Sequence, residues 1–182
     1  MSKDPLGLKK FIRTVDNFPI DGIAFRDITS LIETPEAFVK TCDELTKITR
    51  NFGADIVASI ESRGFIFAGT IARDLNLPFV LARKPGKLPN ETYKKSFDLE
   101  YGSTSIEIQK NTEIKNNQKI VIVDDLVATG GTAIACSEIF TENFNVKSEN
   151  ILILSIIDLP ELGGSRLISE KGYLIETLID YW

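Results

Sequence analysis

The stretch that decides the fold is residues 120–132, which have the sequence IVIVDDLVATGGT. The four β-branched apolar residues at its start predict a strand that is buried on both faces. Two carboxylates, Asp124 and Asp125, follow, and a loop of small and hydroxylated residues leads into an amphipathic helix predicted over residues 131–144. This arrangement is typical of a site for a phosphorylated sugar, because the free N–H groups of a glycine-rich loop and of a helix N-terminus attract phosphate.

The composition limits the class of protein. The chain has 182 residues, a net charge of −5 and no histidine. This length suits a single domain over residues 1–182 with a substantial core, and the acidic balance argues against nucleic acid as a partner. Cys42 and Cys136 are the only cysteines, so zinc lacks its usual ligands. Any metal should be a hard ion such as Mg²⁺, held largely through carboxylates and substrate phosphates.

No segment of the sequence predicts export or membrane insertion. The first ten residues lack the apolar core of a secretory signal, and no apolar run approaches the length of a membrane span. We therefore expect a cytoplasmic protein with no membrane partner, in which both cysteines are reduced and buried.

Helical and strand periods alternate along the chain. They predict helices over residues 5–17, 35–51 and 64–75, and strands over residues 55–60, 79–82, 105–109, 119–124 and 151–157, with a last edge strand that starts near residues 172–175. Strands that alternate with helices predict an α/β fold, in which a parallel sheet is covered on both faces. Ligands of such sheets bind beyond the carboxyl ends of the strands. Glu61, Arg83 and the acidic pair are predicted to lie there.

Two segments depart from this alternation. Residues 1–34 are rich in predicted loops and precede the first strand–helix unit, which favours a small N-terminal subdomain. Residues 84–103 combine proline, glycine and lysine with little periodicity and predict a flexible loop.

Two further groups of residues are candidates for anion binding. Arg63 follows Glu61 and Ser62 at a second strand-to-helix junction, where a guanidinium and backbone amides can bind an anion. An ion pair at a helix entry is the equal alternative. Arg83 and Lys84 begin a basic cluster, which is usually a solvated face. Their predicted place at the ligand edge favours neutralisation of pyrophosphate.

A third candidate is Phe25, which lies between Ala24 and Arg26. A lone phenylalanine is most often a core residue. Alternatively, its ring stacks on a flat heterocycle while neighbouring backbone groups contact the edge of that heterocycle. The spacing of the residues leaves both interpretations open.

These patterns together resemble the type I phosphoribosyltransferase family. Besides residues 120–132, the similarity rests on four segments that occur in the family's order: residues 19–28 (PIDGIAFRDI), 61–65 (ESRGF), 83–89 (RKPGKLP) and 99–102 (LEYG). Together with residues 120–132 they run from residue 19 to residue 132. The FRDI and LEYG segments point to the adenine-specific members of the family.

The resemblance implies a fold, an activity and partners. The fold is α/β, with a parallel sheet flanked by helices, an N-terminal hood over residues 1–34 and a flexible catalytic loop over residues 84–103. The implied reaction transfers phosphoribose from 5-phosphoribosyl 1-pyrophosphate to adenine, with AMP and pyrophosphate as products. Mg²⁺ is the implied cofactor, bound through the substrate and not directly by protein side chains. The resemblance also implies a homodimer that serves purine salvage.

The resemblance also assigns roles to residues. The residues implied to bind the phosphoribosyl group are Asp124, Asp125, Ala128, Thr129, Gly130, Gly131 and Thr132. The residues implied to bind pyrophosphate are Glu61, Ser62, Arg63, Arg83 and Lys84. In this fold a cis peptide bond is expected between Glu61 and Ser62. The residues implied to bind adenine are Ala24, Phe25 and Arg26. Glu100 exchanges a proton with N7 of the base, and Tyr101 accompanies it.

Two alternatives remain at this point. The first is a phosphoribosyltransferase for another purine base. A 6-oxo purine needs a donor opposite O6, whereas the amino group of adenine needs an acceptor such as a backbone carbonyl, which the segment around Phe25 offers. The second is a regulator that senses a ligand with this fold but catalyses nothing. Such a regulator is expected to carry a DNA-binding extension or a basic face.

Overall fold

Nine strands and five α-helices follow one another in the computed structural model, which describes residues 3–99 and 102–182. The strands are Arg13–Asp16 (β1), Ala24–Asp27 (β2), Ile56–Ile60 (β3), Phe79–Ala82 (β4), Thr92–Leu99 (β5), Gly102–Gln109 (β6), Ile120–Val127 (β7), Ile151–Asp158 (β8) and Leu174–Asp180 (β9). The α-helices are Thr29–Glu33 (α1), Pro35–Phe52 (α2), Gly64–Leu75 (α3), Gly131–Asn143 (α4) and Gly164–Glu170 (α5). Three short 3₁₀ turns lie at Lys9–Phe11, Ser148–Asn150 and Pro160–Leu162.

Five of the strands form a parallel sheet in the order β4-β3-β7-β8-β9. Its central strand, β7, alternates its side chains between two cores. Ile120 and Ile122 pack with α4 and the β5–β6 hairpin, whereas Val121 and Val123 pack with α2 and α3. The predicted α/β fold, with a parallel sheet flanked by helices, is confirmed.

Most of the predicted elements are confirmed to within a few residues at their ends. The helices predicted over residues 35–51, 64–75 and 131–144 correspond to α2, α3 and α4. The strand predicted over residues 119–124 continues to Val127, so the acidic pair lies inside β7 and not beyond it. This extension follows from pairing with β8, which continues to Leu126 and Val127.

The helix predicted over residues 5–17 is wrong. The chain forms only the turn Lys9–Phe11 and then enters β1, which pairs antiparallel with β2. Leu8 and Ile12 are buried as the helical spacing required, but Val15 is 40% exposed. The partner strand, which is supplied by residues more distant in the chain, decides the conformation here against a weak local period.

The segment predicted as a loop over residues 84–103 contains a strand. Residues of β5 pair in antiparallel register with β6, and the side chains of Tyr93 and Phe97 pack against the core. The ring of Tyr93 meets Phe144 edge-on at 5.3 Å, and Lys95 bonds Glu138 of α4 at 3.1 Å. The hairpin therefore lies on α4, and the flexibility expected of this segment stays a prediction.

The hood expected over residues 1–34 contains the β1–β2 ribbon and α1 among its described residues. The peptide bond between Phe18 and Pro19, in the turn of the ribbon, is cis. Within residues 3–99 and 102–182, no helix combines the length and the apolar character that a membrane crossing needs.

Gly64 is the closest point between α3 and the sheet. A Cβ atom on Gly64 would lie 2.6 Å from Oγ of Ser59 and 2.7 Å from the carbonyl oxygen of Val123. The same atom on Gly69, in the middle of α3, would meet nothing within 4 Å. A side chain can therefore be accommodated at Gly69 but not at Gly64, although both residues lie in the same helix.

Replacing Gly64 with alanine should lower the free energy of unfolding by about 2 kcal/mol or more, because a backbone carbonyl cannot move aside as a flexible side chain can. Replacing Gly69 with alanine should raise it by about 0.5–1 kcal/mol, because alanine loses less backbone entropy in a helix. Urea unfolding followed by circular dichroism measures both. Equal effects of the two substitutions would contradict the close packing at Gly64.

Candidate active site

A cavity of about 480 Å³ lies at the carboxyl ends of β3 and β7. The β3–α3 junction, the β7–α4 loop and the β5–β6 hairpin form its walls. Of the residues predicted from the sequence, the cavity brings together Glu61, Ser62, Arg63, Lys84, Asp124, Asp125, Ala128, Thr129, Gly130, Gly131 and Thr132. Residues separated by more than sixty positions thus converge at the edge of the sheet where ligands of parallel sheets bind.

The predicted phosphate-binding loop, residues 128–132, which we call the phosphate loop, is packed through a contact between two glycines. Gly130 has a φ of 81° and lies directly before α4. A Cβ atom on Gly164 would lie 2.2 Å from the carbonyl oxygen of Ala128, and the N–H of Gly164 donates to that same oxygen at 3.1 Å. The loop therefore packs backbone against backbone, which leaves the N-terminus of α4 facing the cavity.

Gly164 is a residue that the sequence interpretation missed. It begins α5, a short helix that was not predicted. Its signal in the sequence is the doublet Gly163-Gly164, which follows the buried strand β8. The side chains of Phe97, Thr104, Ser105 and Ile106 also line the cavity without having been predicted to do so.

The acidic pair is held in an unfavourable electrostatic setting. Burial raises the pKa of Asp124 well above its ordinary value, and the neighbouring Asp125 carboxylate raises it further. Asp125 is 5% exposed, and its Oδ2 accepts a hydrogen bond from Nε of Arg63 at 2.6 Å. Its N–H donates to Oδ1 of Asp124 at 2.9 Å. The Arg63 cation therefore lies beside one buried and one half-buried carboxylate, which favours further donors such as sugar hydroxyls.

Glu61 holds the basic residues in place. Its two carboxylate oxygens accept hydrogen bonds from Arg83 at 3.2 and 3.3 Å, and Oε2 also accepts one from the N–H of Lys84 at 3.0 Å. Burial raises the pKa of Glu61, but the bonds from Arg83 and Lys84 outweigh burial and leave this pKa below its ordinary value. Glu61 itself lines the cavity, and its predicted role toward pyrophosphate stays a prediction. The peptide bond from Glu61 to Ser62 is cis, as expected.

Arg83 does not line the cavity, unlike the neighbouring Lys84. Besides Glu61, its guanidinium bonds the carbonyl oxygen of Lys87 at 3.1 Å. Arg63 and Lys84 are therefore the two predicted cations that the structure places at the cavity wall.

Phe25 lies beside the cavity and not in its wall. Its ring centre is 5.6 Å from the guanidinium carbon of Arg63, which does line the cavity, and 5.2 Å from the ring of Phe18. The ring is half-buried and belongs to neither core cluster. Ala24 and Arg26 flank it in β2 and do not line the cavity either. The core interpretation of Phe25 is thus disfavoured, and its role toward a base stays a prediction.

The predicted catalytic residues Glu100 and Tyr101 lie outside the described residues. Strand β5 ends before them at Leu99, and strand β6 begins after them at Gly102. Their assignment therefore rests on the LEYG segment of the sequence.

This chain is similar to known proteins over almost its full length. Residues 29–164 match the family model described as phosphoribosyl transferase domain. An adenine phosphoribosyltransferase of Pelagibacter ubique is 41% identical over 97% of this chain and 98% of that protein. A crystal structure of adenine phosphoribosyltransferase from Thermoanaerobacter pseudethanolicus has a TM-score of 0.87 at 38% identity, covering 96% of this chain and 98% of that one. The APRTase of Giardia lamblia, complexed with 9-deazaadenine, has a TM-score of 0.86 at 34% identity, covering 96% of both chains.

Replacing Asp124 with asparagine should stabilise the ligand-free protein at neutral pH. A carboxyl whose pKa is raised by folding costs stability above its unfolded pKa, and the cost disappears as the pH falls below that value. The variant should therefore have the higher free energy of unfolding at pH 7, and the difference should shrink toward pH 4. Urea unfolding at several pH values measures this.

The matched control for this measurement is replacement of the exposed Asp21 with asparagine. This control variant should have the same free energy of unfolding as the native chain at pH 7 and at pH 4. If the Asp124 variant were less stable at pH 7, with no dependence on pH, the unfavourable setting of the acidic pair would be contradicted.

Proposed function

This chain belongs to the phosphoribosyltransferase family, and we propose that it transfers phosphoribose from 5-phosphoribosyl 1-pyrophosphate to N9 of adenine. The products are AMP and pyrophosphate, and the reaction serves purine salvage. One observation carries the proposal. A single cavity combines the phosphate loop, the adjacent carboxylates of Asp124 and Asp125 and the cations of Arg63 and Lys84.

The phosphate loop suits the 5′-phosphate of the substrate. Its backbone N–H groups and the N-terminus of α4, a helix of 13 residues, attract a dianion. Asp124 and Asp125 lie next along β7 and are suited to accept hydrogen bonds from the ribose hydroxyls. Firm binding at the phosphate and the sugar orients the anomeric carbon, which is how an enzyme lowers the entropic part of a barrier.

The leaving pyrophosphate gains negative charge as its bond to the sugar breaks. Arg63 and Lys84 lie in the cavity wall, and Arg83 lies behind them on Glu61. Fixed cations stabilise developing charge without reorganising at the moment of reaction. Glu61 contributes by holding Arg83 and the backbone of Lys84, and it does not contact the anion in this proposal.

Mg²⁺ is the cofactor that we propose. The cavity suits it, because the paired carboxylates of Asp124 and Asp125 make the site favourable for a hard divalent cation. When bound, the ion supplies further neutralisation of the leaving pyrophosphate. We expect it to be held through oxygens of the substrate.

Adenine is the base that the arrangement favours. The half-buried ring of Phe25 is available for stacking, and the backbone groups of Ala24 and Arg26 beside it are suited to the edge of the base. A backbone carbonyl accepts a hydrogen bond from the amino group of adenine, whereas O6 of hypoxanthine would leave that carbonyl without a donor.

A cytoplasmic homodimer completes the proposal and rests on membership of the family. Light scattering after size-exclusion chromatography measures the oligomeric state. The proposed partners of the site are small molecules: adenine, 5-phosphoribosyl 1-pyrophosphate and AMP.

The choice of base is tested by pyrophosphate release with adenine and with hypoxanthine. Adenine should be turned over at least 100-fold more efficiently, because an unpaired buried carbonyl costs on the order of 2–3 kcal/mol. Replacing Phe25 with alanine should weaken adenine binding by about 1–3 kcal/mol, the usual range for a stacked base. Comparable turnover of hypoxanthine would instead favour a phosphoribosyltransferase for another purine base. Retention on DNA without turnover would favour a regulator.

Glu100 is tested by its replacement with glutamine, which keeps size and hydrogen bonding but cannot exchange a proton. The value of kcat should fall by roughly 10²–10⁴, with KM for adenine little changed. Replacement of Glu91, an exposed residue of the same segment, with glutamine is the control and should leave kcat unchanged. Near-normal turnover of the Glu100 variant would exclude Glu100 as the proton-transfer group.

A further inference from the structure

Arg26 and Tyr181 connect the N-terminal ribbon to the central sheet. The guanidinium carbon of Arg26 lies 4.2 Å from the centre of the Tyr181 ring, within the range of a cation–π interaction. Nη1 of Arg26 donates to the hydroxyl of Thr14 on the paired strand β1. Its Nε is buried and has no hydrogen-bond partner among the described residues. The aromatic ring is therefore a principal partner of this half-buried cation.

Tyr181 is itself fixed to the end of the sheet that carries the cavity. Its N–H donates to the carbonyl oxygen of Asp158, the last residue of β8, at 3.0 Å. Leu159, which follows Asp158 in the chain, donates its N–H to the carbonyl oxygen of Val127 at 3.0 Å. Val127 ends β7 and directly precedes the phosphate loop. Two backbone hydrogen bonds therefore link Tyr181 to the strand from which the phosphate loop begins.

Phe25 and Arg26 are adjacent residues of strand β2, so the position of one depends on the position of the other. Successive side chains of a strand point to opposite faces, so Phe25 and Arg26 are directed away from each other. The Phe25 ring faces Arg63 at the cavity, and the Arg26 guanidinium faces Tyr181. A strand held at Arg26 therefore has its Phe25 held as well, although Tyr181 does not line the cavity.

We propose that Tyr181 is a positioning residue for binding of the base: its ring holds Arg26 and thereby sets where Phe25 lies relative to the phosphate loop. The proposal rests on the proposed function, because it takes Phe25 as the residue on which adenine stacks. It adds a residue near the end of the chain to the determinants of base binding, and this residue acts through a contact on the far face of β2.

The test separates the two substrates. Replacing Tyr181 with leucine should raise KM for adenine about tenfold, the size expected for loss of a partly buried cation–π contact. KM for 5-phosphoribosyl 1-pyrophosphate and kcat should stay within about twofold, because the phosphate loop keeps its own contacts. Replacement of Tyr181 with phenylalanine keeps the ring and should restore the native KM. Replacement of Trp182, which is 70% exposed, with leucine is the matched control and should change neither KM.

A second variant removes the other partner. Arg26→Met keeps the backbone groups of β2 and should raise KM for adenine at least as much as Tyr181→Leu does, because it also removes the bond to Thr14. The double variant should be no worse than Arg26→Met alone, because the contact with Tyr181 is already lost in that variant. Additive effects, an unchanged KM for adenine, or equal rises of both KM values would each overturn the proposal.

Hydrogen exchange distinguishes this proposal from the proposed function. Amides of residues 24–27 should exchange faster in Tyr181→Leu than in the native chain and in Trp182→Leu, whatever the activity. Unchanged exchange would overturn the role of Tyr181 in holding β2, even if adenine is a substrate. Faster exchange in a protein that does not turn over adenine would instead refute the proposed function.

Discussion

The parallel pairing of β7 with β3 on one side and β8 on the other is the constraint on which the rest of the structure depends. Because β7 is central and buried on both faces, it must begin with apolar residues, and polar ones become tolerable only near its carboxyl end. Its neighbours end at the same edge. The strand-to-helix junctions after β3 and β7 therefore face one cavity, and cations from one junction meet carboxylates from the other.

Two ion pairs at the cavity are formed before any substrate is considered. Arg63 bonds Asp125, and Arg83 bonds Glu61. Asp124 lies beside Asp125, and desolvation together with the Asp125 carboxylate raises the pKa of Asp124. Such an arrangement exchanges stability for a preorganised site, since groups already fixed in place need not reorganise when charge develops in a transition state.

Contacts between distant segments complete the site where the central sheet ends. Gly164, at the start of α5, packs against the backbone of the phosphate loop so closely that a side chain at Gly164 has no space and one at Gly130 would be crowded. Near the last residue of the chain, Tyr181 meets Arg26 of the N-terminal ribbon. Both contacts join residues more than thirty positions apart, and both act on the walls of the site without providing a charged group to it.

Local periodicity by itself determined the parallel sheet, helices α2 to α4 and the phosphate loop, because a strand buried on both faces and a glycine-rich turn before a helix each have a short sequence signature. Strands β1 and β5, within residues 5–17 and 84–103, were not predicted, since they exist only through pairing with β2 and β6, and no local period encodes a partner strand. Tertiary structure alone decided that Glu61 bonds Arg83, that Gly164 packs against the phosphate loop and that Tyr181 meets Arg26. Each of these depends on a distance between segments, which packing of the whole chain sets and the order of residues does not display.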